Sequence, residues 1–137
     1  MTFPLTEVEG LLRRSGQVVL NSSGQGVLTF DPASARDRWE VQSVVVTTNQ
    51  AATATVIPVA TVARNTTAVG TLSQGNNLGQ SWSGNQDVFA GKLDIGPCDF
   101  LSVLFGPPPG ATSGQIAALS GVIGYATVTG TRFTRRA

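Results

Sequence analysis

Histidine is absent from this 137-residue chain, and cysteine and lysine occur once each. Without histidine the chain lacks the side chain most used to move protons near neutral pH, and no nucleophile stands beside an evident base. A catalytic pocket is therefore a poor expectation, and function is expected in surfaces and assembly. Cys98 has no partner within the chain, so no internal disulfide can form. Its setting, Gly96-Pro97-Cys98-Asp99-Phe100 ahead of an apolar run, reads as a buried structural thiol. Charge is scarce too. Charged residues make up 12% of the chain, about half the share of an ordinary soluble domain. Long segments carry none: Glu40 to Arg64, Arg64 to Asp87 and Asp99 to Arg132 are each uninterrupted by a charge. With a net charge of +1 there is no field to gather nucleic acid. No run approaches the roughly 18 apolar residues of a membrane helix. The start, Met1-Thr2-Phe3-Pro4, lacks the basic and apolar regions of a secretion signal, so the expectation is synthesis in the cytosol.

What is present is β-forming sequence. Hydrophobic residues make up 41%, enough for a core in one domain of this length. With so little charge the surface must be Ser, Thr, Asn, Gln and Gly, and weakly charged surfaces associate. Basic residues gather toward the ends, at Arg13 and Arg14 and again at Arg132, Arg135 and Arg136. They read either as solvated terminal charge or as arms for an acidic partner.

Thr6-Glu7-Val8-Glu9 has the form of a helix capping box. Val8, Leu11 and Leu12 would share a helical face, acidic residues occupy the first turn and Arg13 and Arg14 the last, and Gly16 is a fitting stop. The expectation is one short N-terminal helix within an arm of residues 1–16, followed by a β-sandwich domain over residues 17–137. From Gln17 onward strands are expected at 17–21 and 26–30 as a hairpin, then at 39–48 and at 54–62 with Pro58 inside it. A polar loop with at most one short strand follows over 64–83. Further strands are expected at 87–90, 92–95, 99–105 and 122–133, with a turn of helix or a loop over 114–120. Val44, Val45, Val46, Leu101, Val103 and Phe105 are expected in the core. Seven or eight strands at this spacing fit an all-β sandwich, jelly-roll-like or immunoglobulin-like.

Three features invite chemistry. Asp87, Asp94 and Asp99 form the one acidic cluster, which could serve a glycosidase or hold calcium. Their places at a turn and at strand ends fit backbone capping better, and the residues suggest no catalytic group, no cofactor and no metal. Trp39, Trp82, Phe89 and Tyr125 could stack against sugar rings, with Trp82 and Tyr125 the candidate glycan contacts. But Trp39 at the start of a core strand reads as buried, and Trp82 reads better as a lid folded back on the sandwich than as an exposed partner contact. Asn21-Ser22-Ser23 and Asn65-Thr66-Thr67 match a glycosylation acceptor, a signal empty without a secretory route.

A tryptophan-led strand Trp39-Glu40-Val41-Gln42-Ser43-Val44-Val45-Val46 is followed by a Thr/Val strand, then Trp82-Ser83-Gly84, an apolar strand ending in Gly106-Pro107-Pro108-Pro109-Gly110, and a Gly/Thr-rich final strand. This order, over Trp39 to Thr131, resembles small β-sandwich proteins encoded by tailed bacteriophages of actinobacteria. The resemblance implies a virion structural protein: a capsid decoration protein, or alternatively a minor tail or carbohydrate-binding host-attachment protein. It implies other virion proteins as partners, the major capsid protein or tail proteins. It also implies a homo-oligomer, with a trimer suiting the threefold positions of a shell. It brings no catalytic residues. The residues expected to touch partners are Leu5, Val8, Leu11, Leu12, Arg13 and Arg14 of the arm and Arg135 and Arg136 of the tail.

Overall fold

The computed structural model describes residues 6–32, 35–50, 54, 56–65, 67–72 and 87–136. It is mostly strand: β1 (Thr6–Val19), β2 (Gly26–Phe30), β3 (Asp37–Thr48), β4 (Val59–Arg64), β5 (Thr67–Leu72), β6 (Asp87–Ile95), β7 (Leu101–Gly106) and β8 (Ile123–Arg136), with one short helix, α1 (Ser113–Ala118). Two four-stranded antiparallel sheets form, in the orders β1-β8-β3-β6 and β2-β7-β4-β5. The pairs are nested: first strand with last, second with seventh, third with sixth, fourth with fifth. The chain is thus one long hairpin, closed at β4–β5 and rolled so that β8 meets β3 and β7 meets β4.

The two sheets share one apolar core. Leu12, Trp39, Val41, Val44, Val46, Ala126 and Val128 enter it from one sheet, and Phe30, Ala60, Val62, Leu101, Val103 and Phe105 from the other. Period-two burial along β3 shows why: Trp39, Val41, Val44 and Val46 point in, with the phase reset at Gln42 by a bulge. Gly130 stands opposite that bulge, where a Cβ would collide with the Glu40 carbonyl. Five of the six expected core residues are buried. Val45 instead points outward and is half-buried beside Thr127 of β8.

The expected N-terminal helix is not there. Residues 6–19 are β1, paired over their whole length with β8 from Thr6↔Arg136 to Val19↔Ile123. A fourteen-residue ladder supplies more than two turns of isolated helix could. The same residues also alternate: Leu12 and Val18 point to the core, and Gly16 leaves room for a Leu28 methyl group and the Phe30 ring, with Leu28 Cδ2 at 3.2 Å and Phe30 Cζ at 3.4 Å from where a Cβ would lie. The helix that does form is α1, capped by Thr112. The Thr112 hydroxyl accepts from the Gln115 N–H at 3.2 Å, and the Gln115 side chain accepts from the Thr112 N–H at 2.8 Å.

Other boundaries move for local reasons. The strand expected over 54–62 begins only at Val59, immediately after Pro58. β4 lies between β7 and β5, so both its edges need N–H donors that proline lacks. The two short strands expected over 87–95 are one continuous strand, and the polar stretch after Arg64 contains β5.

Candidate functional site

The acidic residues do not converge. Asp94 is exposed on the outer side of β6, opposite Glu40 in register. Asp99 sits in the turn between β6 and β7, where its carboxylate accepts from the Gly96 N–H at 3.1 Å, from Asn65 Nδ2 at 3.0 Å and from Arg64 at 3.2 Å. The Asn65 side-chain oxygen in turn accepts from the Phe100 N–H at 3.0 Å. These bonds clamp the tip of the β4–β5 hairpin to the β6–β7 turn, with Asn65 in the left-handed region at φ 55°. The bond from Asn65, then those from Gly96 and Arg64, hold the Asp99 carboxyl below its ordinary 3.8. The site is a structural clasp. The side chain of Asp87 lies outside the described residues. Among the described residues no three His, Cys, Asp or Glu side chains gather as a metal site. Cys98, expected to be buried, is exposed, because the turn at 96–99 carries it out of the sheet.

The two described aromatic candidates lie apart, Trp39 in the core and Tyr125 on an outer face. Trp39 is 1% exposed, with the Arg14 guanidinium 5.8 Å from its ring centre. Trp82 and the Phe89 side chain lie outside the described residues. Tyr125 is half-buried on the outer face of β8, flanked in register by Gln17 and Thr47. Further along that face the Arg38 guanidinium lies 4.1 Å from the Phe133 ring centre.

Of the expected contact residues, Leu11 and Leu12 fall on opposite faces of β1. Leu12 is 1% exposed and Leu11 84%, so the apolar helical face does not exist. Arg13 is exposed beside Leu11 on the outer side, while Arg14 turns over Trp39. Val8 is partly exposed and Arg135 exposed. Leu5 and the Arg136 side chain lie outside the described residues.

Two surfaces emerge that sequence reasoning did not single out. The first is the outer face of the β1-β8-β3-β6 sheet, where Ser15 bonds Thr127 at 3.2 Å and Ser43 bonds Thr129. The alternation of Thr127, Thr129 and Thr131 with Ala126, Val128 and Gly130 is the signal that could have revealed it. The second is a shallow groove of about 460 Å³ on the outer face of the other sheet, lined by Val27, Val59, Thr61, Leu104, Pro107 and Pro109. Val27, Leu104 and Thr61 are register neighbours across β2, β7 and β4, and Val27 and Leu104 are 54% and 39% exposed. No protein-family model matches the chain, and no curated protein matches it by sequence.

Proposed function

We propose that this protein is a structural accessory protein of a bacteriophage virion, a jelly-roll β-sandwich that decorates the capsid by seating a sheet face on it. The nested pairing of eight strands in two four-stranded sheets supports the jelly-roll reading. That architecture is one of the ways β-proteins limit open edges, and it is used in capsid and lectin domains. Fold alone does not decide function. The observation that carries the proposal is the row Val27–Leu104 with Pro107 and Pro109 beside it. It is an exposed apolar strip with no charged residue lining it among the described residues. Exposed apolar strips of this kind mark contact surfaces. Many copies on one shell would add weak contacts into firm attachment. The resemblance over Trp39 to Thr131 supplies the kind of particle, and the major capsid protein is the partner.

The test is a quantitative inventory of purified particles carrying the wild-type chain and the Val27→Asp and Leu104→Asp variants. Wild type should be present at a stoichiometry matched to capsomers, and each variant should fold yet be lost from particles. Wild type at a few copies per particle would favour a minor tail or host-attachment role. Its absence from particles would overturn the proposal.

A further inference from the structure

The geometry points to a second binding surface, the outer edge of β1, and to its occupant: a second copy of this chain. We infer that two β1 strands pair antiparallel about a twofold axis at Leu11, joining two four-stranded sheets into one of eight. The inference stands apart from the particle role.

In an antiparallel ladder, residues that exchange backbone bonds with the neighbouring strand alternate with residues whose N–H and C=O point the other way. The Leu20 N–H donates to the Val122 carbonyl at 2.8 Å. The β1–β8 register runs without a shift from Val19 back to Thr6. Even-numbered residues therefore face β8, and Glu7, Glu9, Leu11, Arg13 and Ser15 direct their backbone groups to the outer edge. Among the described residues no strand pairs with that edge. Proteins that keep an edge single usually shorten it, bulge it or place Pro or charged side chains, Lys above all, on it. Glu9 and Arg13, exposed charges of β1 on either side of Leu11, are of opposite sign, so a second copy can match them. β1 has fourteen residues, no bulge, no proline and no lysine. Arg14, the charge at an inward position, is engaged over the Trp39 ring.

The side chains choose the occupant and the register. Residues directly opposite in an antiparallel pair share a face, so edge-facing odd residues meet odd residues. An axis at Leu11 sets Leu11 against Leu11 and Glu9 against Arg13 on both sides of it. That covers the large apolar side chain that is 84% exposed and pairs opposite charges. An axis at Glu9 or Arg13 would set like charges together, and one at Gly10 would set Leu11 against Glu9. A contact of this kind is isologous and closes as a dimer, so it differs from the expected trimer.

The test uses the full chain and sedimentation velocity over a micromolar concentration series. Wild type should dimerise. Arg13→Glu and Leu11→Lys should each weaken dimerisation about tenfold or more, with unchanged circular dichroism. The double variant Glu9→Arg with Arg13→Glu should restore it, which a merely structural effect would not do. In a Cys98→Ser background, Leu11→Cys should oxidise to an interchain disulfide, since opposed residues stand about 5.5 Å apart at Cα. Val19→Cys, exposed on the same face but off the axis, should not. A monomer throughout the series, a trimer, or a dimer indifferent to Arg13→Glu would each overturn the inference.

Discussion

Among the described residues Trp39 is the largest fully buried side chain, yet its indole Nε1 is buried with no hydrogen-bond partner among them. A buried donor left unmatched costs stability, so the contribution of Trp39 is its volume. Trp39→Phe should therefore be mild, about 1–2 kcal/mol, and Trp39→Ala severe, about 3–5 kcal/mol, by urea denaturation. Near-equal losses would mean that the indole N–H has a partner. Asp99 makes the opposite kind of contribution. Its pKa is lowered in the folded state, by the bond from Asn65 first and by those from Gly96 and Arg64 after it. The stability it adds is complete above the ordinary value of 3.8 and is lost as the pH falls through the lower folded-state pKa. Asp99→Asn should remove that part of the acid sensitivity. Acid denaturation profiles of the two proteins should converge at the lowest pH and diverge above it.

Among the elements, β1 carries most of the consequences. It adds Leu12 to the core and gives β8 one of its two neighbours. A chain lacking residues 1–16 would lose that side chain, worth about 2–5 kcal/mol in a packed core, and would leave most of one edge of β8 unpaired. Total stabilities of domains are only about 5–15 kcal/mol. The truncated chain should be unfolded or aggregated, with its thermal transition lost. A cooperative transition near that of the full chain would show that the rest of the sheet stands without β1. The opposite edge of the molecule is held differently, by the Arg64–Asn65–Asp99 clasp linking the hairpin tip to the next turn.

At the scale of the whole molecule the nested pairing sets the folding problem. Residue 6 pairs with residue 136 and residue 30 with residue 101, so the contacts are overwhelmingly distant in sequence. Closing such loops must precede the contacts that reward it. Refolding followed by tryptophan fluorescence should accordingly take milliseconds to seconds, as in other sheet proteins of distant pairing. A phase complete within microseconds would contradict this topology. The weakly charged exterior bears on the same scale. Neither the Ser/Thr face nor the Val27–Leu104 strip repels another protein, and both agree with a molecule that works through contact.

Much of the β architecture could be read from residue order. β2, β3 and β7 follow from alternating or continuous apolar runs between Gly and Pro breaks, and so does the burial of Val44, Val46, Leu101, Val103 and Phe105. Those patterns are local, and local patterns report which face is wet. Pairing is not local. The pattern Thr-x-x-Glu/Gln is met at Thr6–Glu9 and at Thr112–Gln115 among other places, and of these two it caps a helix only at the second. At the first, β8 offers a full-length ladder whose small inner residues Gly124 and Gly130 admit Phe105 and the bulge of β3. Two turns of helix cannot compete with that many backbone bonds and buried side chains. The same ladder split Leu11 from Leu12, which a helix would have kept on one face. The sequence by itself determined an all-β chain poor in catalytic parts. Only the tertiary structure decided that residues 6–19 are a strand at the edge of its sheet, because its partner lies more than a hundred residues away and its outer side is defined by what does not pair with it among the described residues.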